Sequence, residues 1–192
     1  MKIGVLASQG AFAEHIAMLH QLGVDAVPVR LPQELDGLDG LIIPGGESTS
    51  ISKLMLDYNL VNEIKNLAEN GLPIFGTCAG MIMLANKVPD SRVEPLELMK
   101  IGVRRNAFGR QKESFETDIN IPVLGEKPFP AVFIRAPAIE QSNSDVEILA
   151  KLHDGTIVTA RQGKLLASAF HPELTDDLRF HQYFLDIVAE GR

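Results

Sequence analysis

The 192-residue chain is 45% apolar and 22% charged, carries a formal net charge of −7 and contains a single cysteine. That length suits one domain, residues 1–192, and the longest basic cluster, Arg104-Arg105, offers no patch for nucleic acid or an anionic membrane. No apolar stretch approaches the roughly 20 residues that span a bilayer; a strand-like run from Ile3 leaves no room for a signal peptide, and one cysteine fits a cytoplasmic protein without disulfides or a multi-cysteine zinc site.

In chain order, residues 3–7 read as a short buried strand broken by Ser8-Gln9-Gly10. Phe12, Ala13, Ile16, Leu19 and His20 then recur at helical spacing up to Gly23, a C′ stop. Residues 24–29 and 41–43 are the next strands, the second ended by Pro44-Gly45-Gly46. Ser48, Thr49 and Ser50 offer N-cap hydroxyls to one helix whose apolar face runs from Ile51 through Tyr58 to Leu67. Asn70-Gly71 ends it, and residues 73–76 enter another buried strand.

Short apolar strands alternating with helices imply a parallel sheet covered on both faces. Right-handed crossovers gather the loops at the carboxyl ends of such strands along one edge. Past residue 90 the pattern becomes antiparallel, over residues 100–120, 129–139 and 146–170, with turns at Asp154-Gly155 and Gln162-Gly163. Residues 175–189 read as a final helix with Leu178, His181, Leu185 and Val188 on one face. Asp176 and Asp177 fall in its first turn, where they complement the dipole. The expectation is an α/β fold with a mostly parallel sheet flanked by helices and an antiparallel extension.

Three strand-end loops carry candidate chemistry. Gly76-Thr77-Cys78-Ala79-Gly80 has the G-x-nucleophile-x-G form of a strand-to-helix elbow, in which small residues permit a sharp turn and close helix packing. A nucleophile and a buried structural cysteine are both consistent with this pentapeptide. Among the histidines, His15, His20 and His181 lie in helices as packing or surface residues, and His153 in a turn. His171 follows an apolar strand and opens His171-Pro172-Glu173; Pro172 keeps it out of helical conformation. Side chains at i and i+2 of an extended segment project to one side, so Glu173 can hold one imidazole nitrogen while the other takes the thiol proton. Gly45-Gly46-Glu47-Ser48 suits either an anion- or oxyanion-binding loop or a tight turn with a helix cap, and lacks the Gly-Lys-Ser/Thr ending of a phosphate loop.

Together these motifs resemble the class I glutamine amidotransferases, a flavodoxin-like fold with a Cys–His–Glu triad. GVLASQGAFAEH, LIIPGGESTSI, PIFGTCAGMI, RRNAFGRQKESFE, FIRAP and AFHPEL are similar to the family of glutaminase subunits of pyridoxal 5′-phosphate synthase, over essentially the whole chain. Ser8, Ser50 and Ala107 are minor departures from that pattern. The resemblance implies that L-glutamine is hydrolysed to glutamate and ammonia. It implies Cys78 as nucleophile, His171 as base and Glu173 as its orienter, with an oxyanion hole at Gly46 and Ala79. Gly46, Glu47, Ser48, Arg105, Ile134 and Arg135 are implied to contact glutamine; Arg105 fits the motif better than Arg104. No cofactor or metal is implied. The implied partner is a (β/α)8-barrel synthase subunit, twelve copies joining twelve glutaminases, to which ammonia passes for vitamin B6 synthesis.

Overall fold

The computed structural model describes residues 1–109 and 113–190, so Arg110 and Gln111 of the RNAFGRQ motif lie outside the described residues. Its centre is a run of five parallel strands in the order β2-β1-β3-β4-β12: β1 (Lys2–Leu6), β2 (Asp25–Val29), β3 (Gly40–Ile43), β4 (Ile74–Thr77) and β12 (Leu165–Ser168). The burial of β3 and β4 is continuous, as strands covered on both faces require. The chain belongs to the α/β class expected.

Alternation along β4 shows how both faces are covered. Phe75 and Thr77 point to one side, where Phe75 packs on Phe180 and Phe184 of α5 (Arg179–Ala189) and Thr77 meets His15 of α1 (Phe12–Gln21). Gly76 points to the other, against α4 (Ala79–Leu84); a Cβ there would lie 2.4 Å from the Gly80 carbonyl oxygen. A Cβ on Gly80 would in turn lie 1.9 Å from the Ile43 carbonyl oxygen, so the two elbow glycines allow backbone to pack on backbone.

The antiparallel extension follows. β12 pairs antiparallel with β11 (Ile157–Gln162), then come β9 (Ala138–Ser142) and β6 (Met99–Arg104), also antiparallel, with β5 (Ala85–Lys87) parallel to β6 at the edge and β10 (Glu147–Lys151) beside β11. β7 (Ser114–Ile119) and β8 (Phe129–Ile134) form a separate antiparallel pair. Gly155 and Gly163 adopt φ of 86° and 58° in the two predicted turns.

Several boundaries differ from expectation. The single long helix is two, α2 (Ser48–Asp57) and α3 (Leu60–Glu69), because Asn59 turns left-handed with φ 58°. The cap of α2 is Glu47, whose carboxylate accepts from the N–H groups of Thr49 and Ser50, rather than a hydroxyl of Ser48, Thr49 or Ser50. The last helix begins at Arg179; Asp177 lies ahead of its first turn and accepts from the Arg179 N–H at 3.1 Å. The 100–120 and 129–139 runs each break in two, the second where Arg135 takes φ 44°. The 146–170 run is three strands, β10 to β12, divided at the two expected turns, but the last is also parallel to β4.

Candidate active site

The strand order assembles the site. β1, β3, β4 and β12 are neighbours, and the register pairs Ile43 with Gly76 and Ser168 with Thr77. The loops after their carboxyl ends therefore stand in a row: Ser8-Gln9-Gly10, Gly45-Gly46-Glu47, Cys78, and His171-Pro172-Glu173. Parallel α/β sheets present ligand sites at that edge. The row forms the floor of a cavity of about 590 Å³, lined by Cys78, His171, Gly46, Glu47, Ser48, Ala79, Arg105, Ile134 and Arg135, every predicted residue except Glu173.

Cys78 is held at φ 51° and ψ −105°, a conformation that side chains rarely adopt, and α4 starts at the next residue. Its N–H donates to the Ser168 carbonyl at 2.7 Å, tying the elbow to β12. Sγ lies 3.9 Å from the Ile134 carbonyl oxygen. Cys78, Asn106 and Arg135 all have positive φ and all line this cavity, so backbone strain is concentrated where the chemistry is expected.

His171 is extended, at φ −104° and ψ 88°, and its N–H donates to the Val132 carbonyl at 2.8 Å. Glu173 sits one residue beyond Pro172 in a single 3-10 turn rather than an extended segment. The turn still places its Oε1 2.7 Å from His171 Nδ1, with the Glu173 side chain fully buried. Burial disfavours charge on His171, but hydrogen bonding and charge at Cys78 and Glu173 outweigh it and raise the imidazole pKa to about 10. Cys78 thus stands beside an imidazole that a carboxylate holds in place.

The glycine loop is fixed by its neighbours. The Gly45 carbonyl accepts from the Ala11 N–H at 3.2 Å, and the Glu47 N–H donates to Gln9 Oε1 at 3.0 Å. Burial opposes ionisation of Glu47, yet hydrogen bonds from Thr49 and Ser50 lower its pKa to about 2. Arg105 reaches across the cavity mouth between Glu47 Oε1, at 3.2 Å, and Asp90, which it also contacts. Arg104 instead pairs with Glu140 at 2.5 Å and is absent from the cavity lining, so of these two adjacent arginines Arg105 is the one at the site.

Sequence reasoning missed Gln9, Asp90, His15 and His181. Gln9 lay in a flagged strand-end loop, but nothing local signalled its bond to Glu47. Asp90 is distant from Arg105 in the chain, and His15 and His181 read as packing residues, although both are fully buried in a polar network.

The model of the SNO glutamine amidotransferase family matches residues 5–190. The chain belongs to that family. A protein of Moorella thermoacetica called pyridoxal 5′-phosphate synthase subunit PdxT is 59% identical over 189 residues, covering 98% of this chain and all of the relative. Its namesake from Herpetosiphon aurantiacus is also 59% identical, over 190 residues, covering 97% of this chain and all of that protein. A crystal structure of a glutamine amidotransferase superimposes with a TM-score of 0.92 at 48% identity, covering 97% of this chain and 98% of the other. The glutaminase reading of the motifs and the class I glutamine amidotransferase fold therefore stand. Among the described residues no helix is long and apolar enough to cross a membrane.

Proposed function

We propose that Cys78, His171 and Glu173 are the triad with which this glutamine amidotransferase hydrolyses L-glutamine and supplies ammonia for pyridoxal 5′-phosphate synthesis. The observation that carries the assignment is His171 set between Cys78 and a buried carboxylate 2.7 Å from its Nδ1. His171, whose raised pKa keeps it protonated near neutrality, holds the proton given up by Cys78 while Sγ attacks the side-chain amide carbon, and delivers it to the departing ammonia. The γ-glutamyl thioester left on Cys78 is cleaved by a water that gives its proton to His171, releasing glutamate and the thiol. N–H groups of Gly46 and Ala79 stabilise the oxyanion, at about 3 kcal/mol per donor.

Glutamine lies along Gly46, Glu47, Ser48, Ile134 and Arg135, with Arg105 turning to its α-carboxylate, a planar acceptor suited to a bidentate guanidinium. The chain acts as one domain in the cytoplasm, and its partner is a (β/α)8-barrel synthase subunit in a twelve-plus-twelve assembly. Partner docking reorients the glycine loop near Gly46, which the Ala11 and Gln9 hydrogen bonds hold in the isolated chain. Purified protein alone should release little ammonia from glutamine, and adding the barrel subunit should switch release on. Cys78→Ala should fold, bind the barrel and release no glutamate; wild-type release from that variant would remove Cys78 from the mechanism.

A further inference from the structure

Behind the proposed triad lies a second row of imidazoles that the reaction above does not use. Glu173 gives Oε1 to His171, while Oε2 is buried without a well-formed hydrogen bond and lies 3.4 Å from His15 Nε2. The same His15 nitrogen is 3.2 Å from Thr77 Oγ1, the residue before Cys78. His15 Nδ1 is 2.8 Å from His181 Nε2, and His181 Nδ1 has no hydrogen-bond partner among the described residues. Both rings are fully buried and edge-packed on Phe75.

That unpartnered atom fixes the protons. A buried N–H without an acceptor is rarer and costlier than a bare lone pair, so the His181 proton is on Nε2 and is donated to His15 Nδ1. The His15 proton is then on Nε2, facing Glu173 Oε2 and Thr77 Oγ1. Burial lowers the pKa of both rings, that of His181 to about 3, so the chain delivers aligned N–H dipoles rather than a cation. Every donor in the series His181, His15 points towards the carboxylate.

We infer that His15, its tautomer set by His181, is a positioning residue whose Nε2–H fixes the Glu173 carboxylate so that Oε1 stays on His171. The inference rests on the Cys78–His171–Glu173 reading and deepens it. A carboxylate held by one oxygen alone can rotate away from His171; a donor at the second oxygen removes that freedom and favours the ionised form that accepts from Nδ1–H. The 3.4 Å separation is of the kind that closes when substrate and partner complete the site.

The test uses the assembled complex with the barrel subunit and compares variants at position 15. His15→Leu should lower kcat about 10–100-fold, as loss of an orienting partner does, with KM for glutamine within about twofold. His15→Gln, whose amide N–H reaches the Nε2 position, should recover most of that loss. The low-field proton resonance of the His171–Glu173 hydrogen bond should move upfield in the leucine variant and return in the glutamine one. If the leucine variant does not fold, His15→Asn decides, because its shorter amide reaches only the Nδ1 position and should lose kcat similarly. Wild-type kcat in a folded leucine or asparagine variant overturns the inference, as do equal losses in the glutamine and leucine variants that follow thermal stability. Cys78→Ala is assayed alongside: glutamate release from that variant overturns the triad itself, independently of His15.

Discussion

Gly45 packs against both Cys78 and His171, and adding one methyl group there is a geometric test of the proposed triad. A Cβ at this position would lie 2.3 Å from His171 Cε1, 3.0 Å from its Nδ1 and 3.2 Å from Cys78 Cβ. Gly45 does not have positive φ, so alanine adds bulk without backbone strain. The ring must retreat by roughly 1 Å to reach ordinary contact, a misplacement that costs about 10²-fold in rate, or about 2.7 kcal/mol of barrier. Overpacking of this size destabilises a core by about 1–3 kcal/mol, which for a chain of this length lowers Tm by only several degrees. Gly45→Ala should therefore fold, bind the barrel subunit and hydrolyse glutamine about a hundredfold more slowly, as read by coupled detection of glutamate. Gly10→Ala is the contrasting control. Its Cβ would lie 1.8 Å from the Gly45 carbonyl oxygen at φ 92°, so backbone must move and stability should fall first. A folded Gly45→Ala protein with wild-type kcat would refute the placement of His171 beside Cys78.

Two further outcomes follow from the charges around the cavity. Asp90→Asn should raise KM for glutamine by roughly 3–5-fold, a small effect because solvent screens the ion pair, with kcat nearly unchanged; steady-state kinetics showing a loss confined to kcat would detach Asp90 from Arg105. The His171 pKa of about 10 in the folded chain lies above its ordinary 6.5, so its stabilisation is complete below pH 6.5 and is lost as pH rises through 10. Urea unfolding of wild type should show that decline between those limits, and His171→Asn should flatten it; equal slopes in both proteins would assign the decline to other groups.

The sequence was most legible where a local pattern has only one physical outcome. Continuous apolar runs ending in glycine announced β1, β3 and β4, and a cysteine between glycines at the end of such a run was a candidate for a strained turn. Asn59 was less legible: the apolar spacing from Ile51 to Leu67 continues through it, and only a left-handed residue in the middle separates two helices from one. Glu47 was legible as a candidate ligand yet not as the cap of α2, because Ser and Thr hydroxyls competed for that role in the sequence. The Glu173 contact was anticipated for an extended segment and is made by a 3-10 turn, since Pro172 suits the first position of either.

What remained hidden depends on the order of the sheet. β12 enters the parallel sheet beside β4 after nearly ninety intervening residues, and this single insertion places His171 next to Cys78. The same neighbour relation acts through alternation on the opposite side of the backbone. Thr77, preceding the nucleophile, must point away from the Gly76 face towards α1 and α5, where it meets His15. Each of His15 and His181, read on its own helix, is an apolar-face histidine of no special note. Only the packing of the first helix beside the last makes them a pair, and only the strand order brings that pair to the back of Glu173. The proposed triad is therefore backed by the first and last helices, so loosening either should reach the chemistry as well as the core.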